Sequence, residues 1–557
     1  MTSKNQVKYI FVFGGVLSGL GKGIVASSLG FLLKSRGYRV TIHKLDPYLN
    51  VDPGTMNPYQ HGEVFVLDDG SETDLDLGHY ERFIDQSLSS LNTTSSGRVY
   101  WDVLERERRG DYLGETIQVI PHITDEIKQR IKNVNSNNNF DIVITEVGGT
   151  VGDIEGQPFY EAIRQFILEQ GKDNSLVIHT TLLPFIMAAG EMKTKPTQHS
   201  VMRLREIGLE PNVLVCRTEM DHHLSPKLKK KLGLFCNVED QHVFESPDVD
   251  TIYEIPLVLK EQDFDEIIIE KLGMNFKKHG ENIHMLESSI GRYKNPKYYV
   301  NIAICGKYNS LHDAYKSILE AFIHSGIENE AQVNIKWINT EKLEQNKNLD
   351  KVFQDIDGIL IPGGFGNRGI EGKVMVSSFA RNNNIPFFGI CLGMQCAIID
   401  FARNVCSLKN ANSTEFDKDC SFPVIDLMDN QKKIKSKGAT MRLGSYPCQV
   451  KTKTKAYVAY VNQEVEERHR HRYEVNNKYR KQMEDKGLIV SGENIELNLV
   501  EMIEIKDHPW FIGVQFHPEL KSRIVKAHPL FRDFISASIS QKNKSDANKK
   551  YVKETVT

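Results

Sequence analysis

The sequence predicts an α/β protein with two large domains, each built around a parallel β-sheet that carries helices on its faces. Three observations support this fold class. Short, nearly all-apolar runs rich in β-branched residues alternate with helical stretches, as parallel strands covered on both faces do. These runs form two separate blocks along the chain. The length of 557 residues also exceeds what a single core usually fills.

The first block contains five predicted strands, each short, apolar and bounded by turn residues. In chain order they span residues 9–13, 40–45, 142–147, 176–180 and 213–217. A helical pattern at 24–33 closely follows the first strand, which indicates a strand, loop and helix unit. We therefore expect residues 1–270 to form the first domain.

The second block has the same alternation and predicts a second sheet. Its strands, in chain order, are expected at residues 300–305, 333–338, 358–361, 386–390 and 510–516. We expect the second domain to span residues 298–540.

Three segments fall outside the two predicted cores. Residues 271–297 are polar, charge-rich and without a sustained apolar period, so we predict a linker there. The asparagine-rich residues 134–139 are interpreted as a mobile surface loop. The Lys-rich residues 541–557 are interpreted as a mobile basic tail.

Composition excludes several classes of protein. Apolar residues at 40% and charged residues at 26% are typical of folded soluble chains, which excludes global disorder. A formal net charge of -3 offers no overall field for nucleic acid or an anionic membrane. No apolar run approaches the roughly 20 residues of a membrane span, and no signal peptide is evident. The eight cysteines form no C-x-x-C pair, which disfavours structural zinc. We expect a cytoplasmic protein.

A glycine-rich loop follows the first predicted strand. Residues 14–23 read GGVLSGLGKG. Such glycines let backbone N–H groups surround a phosphate, the following helix presents its positive end, and Lys22 adds a full charge. The loop departs from the G-x-x-x-x-G-K-[ST] pattern, because five residues separate Gly15 from Gly21 and Gly23 replaces the hydroxyl that normally binds magnesium. We predict a nucleotide phosphate site whose metal takes its ligands from elsewhere.

Carboxylates near strand ends are the candidates for that metal. Asp74 and Asp76 follow an acidic stretch, and Glu146 lies at the end of a predicted strand and runs into a second glycine-rich turn at 148–155. Ligands collect at such strand ends, and carboxylate oxygens suit Mg²⁺. The cluster KTKPTQH at 193–199 combines cations, hydroxyls and an amide. It suits an anionic ligand with a polar ring, such as a second nucleotide.

In the second block, Cys391 is predicted to lie in a sharp strand-to-helix elbow. The surrounding GICLG is the thiol counterpart of G-x-S-x-G, a tight turn that exposes the nucleophile and leaves the next N–H free. His517 and Glu519 lie two residues apart at a predicted strand end, so both side chains leave on one face. We predict a Cys-His-Glu triad that transfers an acyl group through a thioester. Backbone N–H groups near Gly364 and at Leu392 would stabilise the oxyanion.

A phosphate-binding domain joined to a thiol domain indicates ATP-driven activation coupled to amide hydrolysis. With these motifs the chain resembles the CTP synthase family from residue 14 to about residue 531. The motifs that carry the resemblance are SGLGKG at 18–23, KLDPY at 44–48, DLDLGHYERF at 74–83, EVGGTVGDIE at 146–155, KTKPTQH at 193–199, PGGFG at 362–366, CLGMQ at 391–395, NSTEF at 412–416, RHRHRY at 468–473 and QFHPE at 515–519.

The resemblance implies a reaction in which UTP, ATP and glutamine give CTP, ADP, phosphate and glutamate. ATP would phosphorylate the uracil O4, and ammonia from the glutaminase domain would displace the phosphate. It further implies Mg²⁺, activation by GTP, inhibition by CTP, and homotetramers, with filament formation left open. The expected folds are a P-loop-type, dethiobiotin-synthetase-like synthase domain and a flavodoxin-like class I glutamine amidotransferase domain.

The resemblance also implies roles for single residues, by motif match. Lys22 and Lys44 would serve phosphoryl transfer, and Asp76 with Glu146 would hold Mg²⁺. The residues expected to contact ATP are Gly19, Leu20, Gly21, Lys22, Gly23, Ile24 and Asp76. Those expected to contact UTP or CTP are Ser18, Asp153, Ile154, Glu155, Lys193, Thr194, Lys195, Pro196, Thr197, Gln198 and Lys231. Those expected to contact glutamine around Cys391 are Gly364, Leu392, Gly393, Met394, Gln395, Glu415 and Arg472. The segment 247–249, where adenine contacts would fall, matches only loosely.

Two other functions stay open from the motifs alone. One is a different glutamine-dependent P-loop amidoligase, such as one that amidates a corrinoid carboxylate, and the cluster at 193–199 argues against it. The other is an ATP-switched scaffold or partitioning ATPase with a vestigial glutaminase. The presence of Cys391, His517 and Glu519 disfavours that function.

Overall fold

The chain forms two compact units. The computed structural model describes residues 6–56, 62–137, 139–307, 312–345, 348–427 and 441–556. The first unit comprises the described residues within Met1–Thr55 and Thr73–Ile290, and the second those within Met56–Glu72 and Gly291–Thr557.

Strands and helices alternate along most of the chain. The strands, in chain order, are β1 Lys8–Gly14, β2 Val40–Asp46, β3 Phe65–Val66, β4 Glu72–Thr73, β5 Thr93–Ser95, β6 Ile142–Val147, β7 Ser175–Leu182, β8 Phe185–Ile186, β9 Glu191–Met192, β10 Val213–Thr218, β11 Val243–Pro247, β12 Tyr298–Gly306, β13 Ala331–Asn339, β14 Gly358–Ile361, β15 Phe387–Ile390, β16 Ala411–Ser413, β17 Phe422–Leu427, β18 Arg442–Val450, β19 Glu464–His471, β20 Tyr473–Val475, β21 Leu488–Asn494, β22 Leu499–Ile505 and β23 Phe511–Val514.

The α-helices are numbered in the same way. They are α1 Lys22–Ser35, α2 Asp76–Ile84, α3 Ser96–Arg109, α4 Thr124–Asn133, α5 Gln157–Gln170, α6 Lys195–Glu206, α7 Pro226–Cys236, α8 Ile255–Lys260, α9 Phe264–Lys271, α10 Glu281–Lys294, α11 Lys316–Glu328, α12 Thr340–Leu343, α13 Leu349–Val352, α14 Ile370–Asn382, α15 Leu392–Asn404, α16 Lys455–Tyr460, α17 Arg480–Glu484 and α18 Pro529–Val556.

The first unit is organised around a parallel sheet of seven strands, in the order β11-β10-β7-β1-β6-β2-β5. β1 lies at its centre, where Ile10 to Phe13 are fully buried, as the apolar sequence of this strand requires. The carboxyl ends of all seven strands meet at one edge of the sheet. The loop after β1, the turn after β6 and the chain after β7 all leave from that edge.

The second unit is organised around a mixed sheet in the order β13-β12-β14-β15-β23-β22-β21-β18-β19. The first five strands are parallel and the remaining four antiparallel. β15 and β23 pair so that Ile390 lies beside Val514. The residues that follow these two strands, Cys391 and Gln515, therefore leave the sheet side by side.

The α/β fold class with two sheet domains is confirmed, and each predicted strand coincides with an observed one. The antiparallel strands β18 to β22 were not predicted, because charged sequences such as EVEERHRH in β19 do not show the apolar runs that reveal buried parallel strands.

The segment predicted as a linker at 271–297 is partly helical, which corrects that interpretation. Ile283, Leu286 and Ile290 are buried on α10. Their spacing of three and four residues is the helical period that we did not recognise in a charged sequence. The division between the two units falls at Ile290, inside this helix.

Residues 62–72 belong to the second unit, although we expected them in the first domain. The Asp68 carbonyl accepts a hydrogen bond from the Ser445 N–H at 2.9 Å, and the Asp68 carboxylate accepts one from Arg468 at 2.6 Å. Arg468 is fully buried, so this carboxylate neutralises an interior cation. No local sequence signal marks such a contact between distant segments.

The described residues of the asparagine-rich insert form local hydrogen bonds, and those of the C-terminal tail are helical. Asn135 is buried, and its side chain bonds to the N–H of Phe140 at 2.9 Å and to its carbonyl at 3.0 Å. Residue 138 lies outside the described residues. α18 continues through the tail to Val556, and the mobility of the tail stays a prediction. No helix in the described ranges combines the length and apolar character needed to span a membrane.

Candidate functional site

The glycine loop of the first unit connects the end of β1 to the start of α1. Gly19 and Gly21 have φ angles of 72° and 89°, a left-handed conformation that glycine adopts without strain. Lys22, the first residue of α1, is buried, and its ammonium donates to the Gly149 carbonyl at 2.8 Å. This lysine therefore ties the glycine loop to the turn after β6. The helix begins two residues before the predicted start.

Lys44, Asp76 and Glu146 come together beside this loop. β2 and β6 pair so that Lys44 lies opposite Glu146, and the Lys44 ammonium donates to Glu146 Oε1 at 2.9 Å and to Asp76. A Cβ placed on Gly23 would lie 3.2 Å from Asp76 Oδ1 and 3.2 Å from Glu146 Oε2. Tyr80 also donates to Glu146. The structure thus brings the two predicted metal ligands and both predicted catalytic lysines to one place.

The two lysines differ in their electrostatics. Burial lowers the pKa of Lys22 and outweighs the attraction of Glu146. Burial acts on the pKa of Lys44 in the same direction, but Asp76 and Glu146 outweigh it and raise the pKa well above its ordinary value. Lys44 therefore stays protonated between the carboxylates, as a fixed charge of the site.

The donor set at this position fits magnesium. Asp76 and Glu146 converge, and their oxygens are hard ligands of the kind that Mg²⁺ takes. No group of three or more His, Cys, Asp or Glu side chains with the geometry of a metal site occurs in the described part of the chain. In proteins Mg²⁺ is commonly held by one or two carboxylates together with phosphate and water. The third candidate, Asp74, instead accepts the Leu75 N–H at 2.7 Å.

The segment 193–198 opens α6 at the same edge of the sheet. Thr197 donates to the Leu182 carbonyl at 3.1 Å, and Gln198 donates to Thr194 at 3.1 Å. These three side chains are buried, so they hold the start of the helix in place. Pro196, beside them in the first turn, has the fixed φ that suits this position.

The cations of this cluster lie outside that buried group. Lys193 bonds to Glu191 at 2.5 Å, and Lys195 lies 5.9 Å from the centre of the Phe235 ring on α7. Lys231 of α7 lies near them, since both Lys193 and Lys231 lower the pKa of Glu191. The larger effect comes from the hydrogen bond of Lys193. Three lysines therefore gather near the start of α6.

The turn after β6 carries the remaining residues predicted for the second nucleotide. Asp153 accepts the Thr150 N–H at 2.8 Å, and Ile154 is 80% exposed. The turn passes over α6, since a Cβ on Gly152 would lie 3.3 Å from Arg203. In the described chain, no hydrogen bond or ion pair joins Asp153 or the neighbouring Glu155 to residues 193–198. The structure brings these segments to one edge of the sheet, and the exposed Ser18 lies in the loop that leaves the same edge.

Arg217 is a site residue that we did not predict. Its guanidinium donates two hydrogen bonds, one to the Gly19 carbonyl at 2.6 Å and one to Asp248 at 2.9 Å. The loosely matching segment 247–249 is thereby linked to the glycine loop. Asp46 is a second unpredicted residue, with its carboxylate 3.8 Å from the Lys44 ammonium. The motif KLDPY contains Asp46 and could have indicated it.

A cavity of about 600 Å³ in the first unit lies at the opposite edge of the sheet, at the amino ends of β7 and β10. Arg164, Lys172 and Arg205 are among its lining residues. No residue predicted to bind nucleotide lines it, so it does not belong to the site described above.

In the second unit, Cys391 lies in the predicted elbow. It precedes α15 with φ 51° and ψ -103°, a strained conformation for a residue with a Cβ. Its N–H donates to the Val514 carbonyl at 2.7 Å, which anchors the elbow to β23. A Cβ on Gly393 would lie 2.2 Å from the Ile361 carbonyl oxygen. Glycine is therefore required there for α15 to pack against β14.

The His-Glu pair reaches Cys391. Nδ1 of His517 bonds to Glu519 at 2.7 Å, and a Cβ on Gly363 would lie 2.7 Å from His517 Cε1 and 3.6 Å from the Cβ of Cys391. Burial acts to lower the pKa of His517, but Glu519 and Cys391 outweigh it and raise the pKa to about 10. The imidazole is therefore protonated at neutral pH beside the thiol.

The local structure around this pair corrects one step of our reasoning. β23 ends at Val514, not at Phe516, and Glu519 lies in a short 3₁₀ turn at Pro518–Lys521. The two side chains meet through this turn and not through the alternation of a strand. The His517 N–H donates to the Arg468 carbonyl at 2.7 Å, which holds the turn against β19.

The residues predicted to bind glutamine surround the elbow. Leu392 begins α15, so its N–H has no helical acceptor, and its side chain lies 3.6 Å from a Cβ placed on Gly364. Glu415 accepts the Gly366 N–H at 3.1 Å. Burial raises the pKa of Glu415 against the opposing effects of that bond and of Arg472.

Two of the predicted glutamine residues face the protein interior. Met394 is fully buried, and a Cβ on Gly513 would lie 2.8 Å from its Cγ. Gln395 donates to Gln515 at 3.2 Å and to the Tyr473 carbonyl at 3.1 Å. Gln515 in turn lies 3.7 Å from the Cys391 sulfur. We did not single out Gln515, although QFHPE contains it.

A parallel sheet with a phosphate-type glycine loop, and a cysteine elbow beside a His-Glu pair on the same chain, define a glutamine-dependent synthetase. Comparison with known proteins specifies the family. The family described as CTP synthase N-terminus matches residues 8–274, and Glutamine amidotransferase class-I matches residues 310–537. The chain belongs to the CTP synthase family.

Relatives support this over nearly the whole length. A CTP synthase of Clostridium kluyveri is 57% identical over 543 residues, which are 97% of this chain and all of the relative. One of Caldanaerobacter subterraneus subsp. tengcongensis is 56% identical over 537 residues, 96% of this chain and 99% of the relative. A solved structure of the Trypanosoma brucei CTPS glutaminase domain with bound acivicin is 37% identical. It covers 43% of this chain and 93% of its own, with a TM-score of 0.41.

Proposed function

We propose that this chain makes CTP from UTP, with ATP as phosphoryl donor and glutamine as nitrogen source. The observation that carries the proposal is the His517–Glu519 pair, bonded at 2.7 Å beside the strained Cys391, on a chain of this family. An intact nucleophile, base and orienting carboxylate argue against a vestigial glutaminase. Membership of the family argues against a corrinoid amidoligase.

In the glutaminase reaction, the Cys391 thiolate attacks the side-chain amide carbon of glutamine. The carbonyl oxygen becomes an oxyanion that the N–H groups near Gly364 and at Leu392 stabilise. His517 gives its proton to the leaving nitrogen, ammonia departs, and a thioester remains. His517 then takes a proton from water, the hydroxide attacks the thioester carbon, and glutamate leaves as the thiolate is restored. Glu519 orients the imidazole throughout.

In the synthase reaction, the uracil O4 must become a better leaving group before ammonia can displace it. Transfer of the γ-phosphoryl group of ATP to O4 does this, ammonia then adds at C4, and phosphate departs. Lys22 and Lys44 neutralise charge on the transferring group. Asp76 and Glu146 would hold Mg²⁺, which supplies further neutralisation when bound.

The substrate contacts follow the predicted sets. ATP phosphates lie against the glycine loop at 19–24, and the lysines at 193, 195 and 231 bind the phosphates of UTP or of the inhibitor CTP. The charge of these lysines and the exposure of Lys195 and Lys231 support that assignment. GTP activation, a homotetramer and a cytoplasmic location complete the proposal. They rest on the family alone.

The proposal is tested with Cys391→Ala. We expect the variant to lose glutamine-dependent synthesis by at least about 10³-fold, because the nucleophile is gone. Synthesis from added ammonia should continue at the wild-type rate. The assay follows the change in ultraviolet absorbance from UTP to CTP, with glutamine or ammonia and with or without GTP.

Cys396→Ala is the matched control. Cys396 is a fully buried thiol on the same helix, and its variant should keep both activities. If Cys391→Ala loses ammonia-dependent synthesis as well while remaining folded, the division of labour is wrong. If the wild type converts no UTP with either nitrogen source, the proposed function is wrong.

A further inference from the structure

Lys373 is a buried lysine beneath the glycine loop of the second unit, which comprises residues 362–366. It lies in the first turns of α14 and is 1% exposed. Its Nζ lies 4.0 Å from a Cβ placed on Gly364, one of the residues proposed to stabilise the oxyanion. Within the described ranges, its ammonium forms no ion pair and donates no hydrogen bond to a side chain or carbonyl. An amine without such a partner among the described residues is thus held inside the protein, next to the proposed reaction centre.

This placement is costly to the resting protein. Transfer of an ammonium to the interior without a counter-ion is unfavourable. The start of a helix carries positive partial charge, so a cation there is further disfavoured. Lys307 adds a repulsion. A lysine at this position needs an interaction that offsets these three unfavourable effects. A methionine of similar volume would avoid all three.

The groups around Lys373 show where the compensation can come from. Burial lowers the pKa of Lys373, while the thiols of Cys396, Cys391 and Cys305 oppose that change. Glu415 is also within electrostatic range, but its carboxylate already accepts the Gly366 N–H. The charged and titratable groups that face Lys373 and Cys391 from neighbouring elements are Cys305, Lys307, Cys396, Glu415, His517 and Glu519.

Of these groups, Cys391 is the one on which the proposed reaction places negative charge. In the proposed reaction the Cys391 thiolate attacks, and the oxyanion that forms beside it lies against residues 362–366. A cation beneath this loop, buried as Lys373 is, interacts strongly with negative charge that appears there.

We propose that Lys373 stabilises, through space, the negative charge of the Cys391 thiolate and of the oxyanion during glutamine hydrolysis. The inference rests on the proposed glutaminase function and assigns that site a further residue. Lys373 does not touch the substrate. It acts through the field that it exerts on Cys391 and on the oxyanion beside Gly364.

The test compares Lys373→Met with the wild-type full-length chain. We expect kcat for glutamine hydrolysis to fall about ten-fold, with KM changed less than about two-fold, because Lys373 acts on the thiolate and on the oxyanion and does not touch bound glutamine. The pH at which iodoacetamide half-maximally alkylates Cys391 should rise by about one unit. Ammonia-dependent synthesis should remain at the wild-type rate.

Ser377→Ala is the control for disturbance of the helix. Ser377 is a fully buried polar residue one turn further along α14, and its variant should leave both the alkylation profile and kcat unchanged. A structural role of Lys373 alone would not move the alkylation profile.

The outcomes separate the possible failures. An unchanged alkylation profile and kcat in Lys373→Met, or an effect confined to KM, would overturn the inference. If Lys373→Met also loses ammonia-dependent synthesis, Lys373→Gln is examined in the same assays. Loss of ammonia-dependent synthesis in both would assign Lys373 to folding and overturn the inference. A wild-type chain that hydrolyses no glutamine would instead refute the proposed function.

Discussion

Replacement of Glu519 by glutamine removes one charge from the thiol site and leaves its shape. Glu519 bonds to Nδ1 of His517 at 2.7 Å and is buried. Glutamine has the same size, so packing is kept. The imidazolium thereby loses its carboxylate partner. Burial acts to lower the pKa of His517, and this carboxylate is the largest of the effects that instead raise it to about 10.

The expected magnitude follows from that rise. An increase from 6.5 to about 10 corresponds to roughly 5 kcal/mol of preference for the charged imidazole, shared between Glu519 and Cys391. We therefore expect the pKa of His517 to fall by about 2 units in Glu519→Gln. Loss of an oriented acid and base should reduce kcat for glutamine hydrolysis about 10²- to 10⁴-fold.

The sign of the pH effect is fixed by the raised pKa. Because the folded pKa lies above the ordinary value, the pair stabilises the protein fully below pH 6.5 and loses that contribution as pH rises through about 10. The alkaline limb of glutamine hydrolysis should thus lie near pH 10 in the wild type and near pH 8 in the variant, a shift of about 2 units. Stopped assays of glutamate release across this range measure both limbs.

Glu496→Gln, which changes an exposed carboxylate between β21 and β22, is the matched control and should behave as the wild type. An alkaline limb that does not move in Glu519→Gln, with ammonia-dependent synthesis intact, would refute the assignment of Glu519 as the partner that charges His517.

Two further predictions concern the synthase site and the interior of the second unit. Lys22→Ala should reduce synthesis from either nitrogen source at least about 10²-fold, measured by absorbance, and near-normal turnover with ammonia would contradict the glycine-loop assignment. Burial and the nearby Glu501 raise the pKa of Glu474 to about 8, although the Arg442 cation opposes them. Between pH 4.5 and about 8 the folded protein therefore binds more protons than the unfolded chain, and its stability falls as the pH rises. Glu474→Gln should therefore raise Tm by about 3 °C at alkaline pH and change it by less than about 1 °C in acid, as read by calorimetry; an equal shift at both pH values would oppose this.

Features with a local signal were predictable from the sequence. β1 and its glycine loop are adjacent in the chain, as are β15 and the elbow at Cys391, so an apolar run followed by glycines was sufficient to locate each. The fold class followed from the same runs. The roles of the site residues stay predictions.

Features that depend on pairing between distant segments were not predictable in this way. Lys44 lies opposite Glu146 because β2 and β6 pair in one register, and Arg217 reaches Gly19 from a strand almost 200 residues away. Lys373 carried no signal, because a single lysine in an amphipathic helix normally points to solvent. Its side chain is buried because α14 packs beneath the glycine loop of the second unit at residues 362–366.

The hydrogen bond from Arg468 to Asp68 joins residues 400 positions apart, and it bears on how the protein is made. A ribosome releases residues 62–72 long before β18 and β19, against which this segment pairs, have been synthesised. At about 5 to 20 residues per second, tens of seconds pass before the strands that this segment contacts have been synthesised. The second unit therefore cannot complete its fold as an independent C-terminal piece during translation. A fragment begun at residue 291 would leave Arg468 buried without this carboxylate.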